Sequence, residues 1–360
     1  MPGPRHRWHP RCDPPRGLVP PVPIDRHGRD GPTPGQARGS KWRQTSHGRY
    51  VPASVRDDVP EQRVLEQAAR LPPGGAVTGW ASLRLHGATF FDGLAGDGRT
   101  RLPVPLNPGP FHQLSESDAC TVSRDRLFAP EITRRHGMPA TTPPRALFDE
   151  MRYAQHLRAA VVAADMAAAA DLVSLRMMRA YVSEHPGWTG VEQVRRALLL
   201  ASEQSLSPKE TVMRLVWVLD AGLPTPACNR PVFTRSGRFV GRPDLLDVEA
   251  GVVGEFDGAD HRTAERHTRD VEREDSFRRL GLEYFKITGR DLADRSRVVD
   301  RMHATRRRAR FLSPGDRAWT VDPPGWWKPE STLDEVIAED LWREELRRQW
   351  EAEGASDWPT

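Results

Sequence analysis

The sequence predicts an α/β protein whose C-terminal core runs α-β-β-β-α-β, preceded by an α+β region and a helical bridge. Three patterns carry this prediction. From Ser207 to Arg310 a helical apolar period gives way to short strand periods and then returns. Residues 150–204 carry helical periods alone. Residues 41–155 mix short strands with short helices, bounded by Gly and Pro.

A chain of 360 residues has room for two or three domains. It is 38% hydrophobic and 28% charged, enough for globular cores, while 33 prolines and a mean hydropathy of -0.62 point to disordered parts. The formal charge of +4 permits nucleic-acid binding without requiring it. Cys12, Cys120 and Cys228 are far apart and form no CxxC, so no disulfide framework or zinc site is expected. Cys120 and Cys228 read as buried apolar residues. No apolar run approaches the ~18 residues of a membrane span, and the N-terminus has no apolar signal-peptide core. The expected compartment is the cytoplasm.

In chain order, residues 1–40 are Pro-, Gly-, Arg- and His-rich and are expected to be disordered, with His6, His9 and His27 part of that disorder. Gly48–Pro52 reads as a strand after a turn, and Val64, Leu65, Ala68 and Leu71 mark a helix stopped by Pro72-Pro73-Gly74-Gly75. Thr78–His86 is a short helix, and Leu102–Leu106 and Ala119–Val122 are strands. Arg135–Asp149 is a strand-turn-helix transition capped at Thr142, with Pro at the helix start. Arg145 and Asp149, four apart on that helix, make a structural ion pair. The bridge, residues 156–206, includes the Ala-rich stretch Ala159–Ala170, a helix over Leu172–Val182, and the capping box Thr189–Glu192.

Residues 207–310 form the core. Ser207-Pro208-Lys209-Glu210 opens a helix, with Ser as N-cap, Pro at the first position and Glu closing the box. A strand over Ala227–Phe233, the turn Thr234–Gly237, two acidic strands, a polar helix over Glu265–Leu280, a strand over Glu283–Ile287 and a helix from Asp291 follow. The acidic strands carry the chemistry. Val248-Glu249-Ala250-Gly251 is their turn, which places Asp244 opposite Glu255. Opposed side chains have Cβ atoms ~5 Å apart. Asp257 shares the face of Glu255, and Arg242 falls across from Asp257. Three carboxylates are thus expected to converge, which costs stability unless protons or a cation compensate. Oxygen-only ligands suit magnesium or manganese; a solvated polar strand face is the plainer reading.

Arg242-Pro243-Asp244, Glu255-Phe256-Asp257-Gly258, His261, Arg269-Asp270 and Arg273, on this order of elements, resemble an uncharacterised actinobacterial family related to the very-short-patch-repair (Vsr-type) endonucleases, with a PD-(D/E)XK core. The resemblance covers about Ser207 to Arg310 and implies a restriction-endonuclease-like fold and metal-dependent hydrolysis of DNA, in repair or in defence against foreign DNA. It implies Asp244 and Glu255 as ligands of Mg2+ or Mn2+, Asp257 as a further ligand or water-orienting group, and His261 as acid or base. The lysine position of the motif, two after Glu255, holds Asp257. Its role passes to a second metal, to His261, or to a relocated base such as Lys286 or Arg273; otherwise the site is inactive. Glu210 reads as a cap, Asp270 and Arg273 as a helical pair, and His267 as a surface residue.

Residues 41–155 are similar to the antitoxins of type IV (abortive-infection) toxin–antitoxin systems. Gly48-Arg49-Tyr50-Val51, Ala81-Ser82-Leu83 through His86-Gly87, and Gly137–Thr141 with Arg145–Asp149 carry that likeness, which implies a toxin or another protein as partner. Before Trp42 the chain is Pro-rich, where a winged helix would have its first helices. Arg242, Arg273 and Arg306-Arg307-Arg308, in the basic run Arg301–Arg310, are candidate nucleic-acid contacts. Residues 311–360 form a Trp-rich and charged helical tail. The alternative function is a non-catalytic DNA-binding or antitoxin-like regulatory protein on a nuclease scaffold.

Overall fold

The computed structural model describes residues 9–258, 264–328 and 330–352, with side chains outside the description at 264–270, 348 and 350–352. Among the described residues the protein is mixed α/β, with four small sheets and ten α-helices. It divides into two compact units: one holds residues 9–155 and 172–196, the other residues 156–171 and those from 197 on.

The first unit begins with a three-stranded sheet of order β1-β3-β2, made of β1 (Val22–Pro23), β2 (Trp42–Ser46) and β3 (Arg49–Pro52). The disorder expected to residue 40 is therefore corrected from His9 on. Two side chains hold this Pro-rich stretch. Gln62 bonds both the N–H and the carbonyl of Val19 at 2.9 Å, and the Asp25 carboxylate accepts from the backbone of His27, Arg29 and Asp30.

After α1 (Pro60–Ala68) comes a five-stranded sheet of order β6-β5-β4-β8-β7. Its strands are β4 (Ala76–Val77), β5 (Val104–Asn107), β6 (Cys120–Val122), β7 (Ile132–Arg135) and β8 (Met138–Thr141); α2 (Gly79–Leu85) follows β4, and α3 (Pro143–Arg152) follows β8. Thr142 takes the N-cap position of α3, but its side chain makes no cap bond. The Arg145–Asp149 pair forms at 2.9 Å with both side chains buried, and Glu131 joins it at 2.9 Å. Cys120 and Cys228 are buried.

The bridge expected over 156–206 is not a separate piece. α4 (Leu157–Ala169) belongs to the second unit, while α5 (Leu175–Glu184) and most of α6 (Val191–Leu198) belong to the first. The reason lies in what each helix buries. α5 brings Tyr181 against Phe148 of α3, with ring centroids 5.4 Å apart. α4 carries Asp165, whose carboxylate takes Ser202 N at 2.7 Å, Thr211 Oγ1 at 2.7 Å and Arg214 Nη2 at 2.5 Å, the last two from α7 (Pro208–Leu215). Breaking a fully buried ion pair from one side leaves a charge without compensation. Asp165→Ala is therefore expected to destabilise the second unit by about 3–5 kcal/mol, read as a lowered urea midpoint.

The second unit then builds two sheets. β9 (Val232–Thr234), β10 (Phe239–Gly241) and β14 (Trp319–Thr320) form one, in order β10-β9-β14. β11 (Leu245–Asp247), β12 (Val252–Asp257) and β13 (Glu283–Thr288) form the other, in order β11-β12-β13. α8 (Ala264–Arg279) connects β12 to β13, and α9 (Arg295–Arg308) follows. The strand expected over Ala227–Phe233 shortens to β9 plus a bridge from Ala227 to Leu246. The strand after it breaks at Arg242-Pro243-Asp244, where Pro has no N–H for a ladder. Trp319 is buried in the second sheet's core, so the expected tail joins the unit at that point; α10 (Leu333–Ala352) lies beyond it. Gly254 in the central strand is required by contact: a Cβ there would stand 2.3 Å from the Phe285 ring, which stacks on Trp217.

Candidate active site

The hairpin β11–β12 fixes the site. Its register pairs Leu245 with Gly254, Leu246 with Val253 and Asp247 with Val252, around the turn Val248–Gly251 in which Gly251 takes φ +77°. Continued one residue, that register sets Asp244 opposite Glu255. Asp244 is buried, and its Oδ2 accepts from the Phe256 backbone N–H at 2.7 Å. Leu245 and Val252 point to the other face and are fully buried in the core against α7 and α9.

Glu255 is held by two elements. Tyr284 on β13 donates its hydroxyl to Oε2 at 3.0 Å. Arg273 on α8 brings Nη2 to 2.5 Å from Oε1. This contact is ionic without hydrogen-bond alignment, so Oε1 and Arg273 Nε are both buried without a hydrogen bond. Burial pushes the Glu255 carboxyl up from its ordinary 4.5 to about 7; Asp244 pushes the same way, while Arg273, Tyr284 and Lys286 pull it down. Burial, then Glu255, raises the Tyr284 hydroxyl in turn.

Asp257 stands differently. On β12 it pairs with Thr288 of the parallel strand β13, beyond the reach of the β11 register on the other side. Its carboxylate lies 3.8 Å from Lys286 Nζ. Among the described residues no three His, Cys, Asp or Glu side chains gather as a metal-holding group. The expected convergence of three carboxylates is thus corrected to a pair, Asp244 and Glu255, with Asp257 beside a lysine. His261 lies outside the described residues, as do the side chains of Asp270 and His267. Oxygen donors from two facing carboxylates suit one hard cation, which would have to displace Arg273 from Glu255 Oε1 and complete its shell with water.

The arginines expected to meet nucleic acid are mostly engaged. Arg242 does not face Asp257: it pairs with Glu330 and lies 5.5 Å from the Trp327 ring centroid. Arg273 is held by Glu255 and by the Arg242 carbonyl at 2.5 Å. Arg306 bonds Asp247 at 2.8 Å, Glu249 at 3.4 Å and the Phe311 ring. Arg308 pairs with Glu283 at 3.2 Å, and Arg307 is exposed. Glu210 is structural as expected, but it accepts from Leu206 N and Asn229 Nδ2. Tyr284 had no signal in the sequence beyond strand alternation, since a parallel partner's register is set by no turn.

Comparison with known proteins finds no matching family model, no matching curated protein and no matching solved structure. Among the described residues no helix is long and apolar enough to cross a membrane.

Proposed function

We propose that the second unit is a metal-dependent endonuclease that hydrolyses phosphodiester bonds of DNA on a PD-(D/E)XK-type core, related to Vsr-type enzymes. The observation that carries this reading is the Asp244–Glu255 pair beside Lys286. The topology supports it: helix α7, the antiparallel series Ala227, β11 and β12, helix α8, then β13 parallel to β12. When bound, Mg2+ or Mn2+ would activate water and neutralise charge on the scissile phosphate.

Asp244 and Glu255 would hold that cation, and Tyr284 fixes the Glu255 rotamer through Oε2. Lys286, the Cα partner of Glu255 on β13, supplies the cation that the motif lacks at Asp257. It orients the water or steadies the pentavalent phosphorus. Lys286→Met is expected to lower the cleavage rate by about 10²–10⁴ while calorimetric magnesium affinity stays within a few-fold.

One observation favours a second reading, a non-catalytic DNA-binding or antitoxin-like regulatory protein. Arg273 meets Glu255 where a metal would, and so neutralises it without one. Magnesium or manganese calorimetry with plasmid cleavage on the same samples separates the two. Metal binding with cleavage supports the nuclease; neither binding nor cleavage with DNA present leaves the regulatory protein.

A further inference from the structure

We propose that the groove between α8 and α9, along the outer edge of β13, is the track for one strand's phosphodiester backbone, an inference that rests on the nuclease reading above. The groove has a volume of about 330 Å³ and is lined by Glu274 and Arg278 of α8, Lys286 of β13, and Arg301, Thr305 and Arg308 of α9. Lys286 belongs to both places: its ammonium approaches Asp257, and it lines the groove. A chain lying in the groove therefore leads to the Asp244–Glu255 pair.

Charge and geometry favour a polyanion over an added β-strand. α9 carries six arginines against one aspartate. Arg301, Thr305 and Arg308 repeat at helical spacing and share the groove face. Arg301 and Arg308 are seven residues apart, about 10 Å along the helix axis, so each can meet a different phosphate of one strand. The β13 edge, by contrast, is guarded. Arg301 Nη1 donates to the Lys286 carbonyl at 2.7 Å, and Asp291 Oδ2 accepts from Thr288 N at 2.8 Å. The acids that pair with these arginines, Asp291 for Arg301 and Glu283 for Arg308, are themselves partly exposed, so a phosphate can exchange with them.

The test is the salt dependence of oligonucleotide binding by the full chain, followed by fluorescence anisotropy in EDTA so that no cleavage occurs. For Arg301→Gln/Arg308→Gln the slope of log K against log salt is expected to be shallower by about 1.8 for duplex DNA, with Arg301→Lys/Arg308→Lys restoring it. Arg278→Gln, on the other wall, should remove about half as much, which keeps the test open if the double variant folds poorly. Arg295→Gln/Arg297→Gln, at the start of α9 and outside the groove, should leave the slope unchanged. Wild-type slopes in all groove variants, with binding retained, would overturn the groove and leave the nuclease reading standing. No binding of duplex or single strand by the wild type would overturn both.

Discussion

Asp244→Asn is expected to reduce magnesium-dependent cleavage by about 10³-fold or more, with the fold retained. Asparagine keeps an oxygen where Oδ2 accepts the Phe256 N–H, so the hairpin loses no backbone partner. What it loses is charge. A cation bound between Asp244 and Glu255 then has one carboxylate instead of two. Asp244→Ala should be as inactive and also less stable, by about 1–3 kcal/mol, because the half-buried Phe256 N–H loses its acceptor. Comparing the two variants in plasmid cleavage and urea unfolding separates the chemistry from the scaffold. An Asn variant cleaving at the wild-type rate would remove Asp244 from the site.

Glu255→Gln should abolish cleavage and, unlike most buried substitutions, stabilise the protein at alkaline pH. The sign follows from proton binding. Folded Glu255 titrates near 7 against 4.5 ordinarily. Between those values the unfolded chain has released the proton and the folded chain has kept it, so this group's contribution falls as pH rises from about 4.5 to 7. Below 4.5 both states are protonated and the penalty is absent. Glutamine mimics the protonated form at every pH. The variant should therefore match the wild type near pH 4 and exceed it by roughly 3 kcal/mol at pH 8, seen in chemical denaturation at each pH. Magnesium should close most of this gap. At a hundred times its dissociation constant it adds about 2.7 kcal/mol to the wild type and little to the Gln variant. A wild type whose stability is flat across this window would mean that Glu255 is not strained.

How much of this site was legible in the sequence depends on what set each contact. Gly251 and the short turn fix an antiparallel register within a few residues, so the pairing of Asp244 with Glu255 could be read directly. Lys286 and Tyr284 come from a parallel strand reached through α8. No turn couples that strand's register to β12, so their neighbours could not be derived from spacing. Arg242 does not come opposite Asp257, because the expected strand before the turn is broken. Pro243 ends it, and with it the place opposite Asp257. Arg242 found Glu330 far along the chain, beyond any local rule. In the first unit, proline content suggested disorder where Gln62 and Asp25 tie the chain down.

The interleaving of the two units has a consequence for how such a chain is made and exchanged. α4 leaves the ribosome well before α7, its Asp165 without the Arg214 that neutralises it, while Leu172–Arg196 completes the other unit in between. The second unit thus has an early helix that must wait for its partners. For the same reason a single recombination crossover cannot transplant this unit whole. A gene cut anywhere between α4 and α7 would strand Asp165 in one product and Arg214 in the other, so the two units are expected to be inherited together.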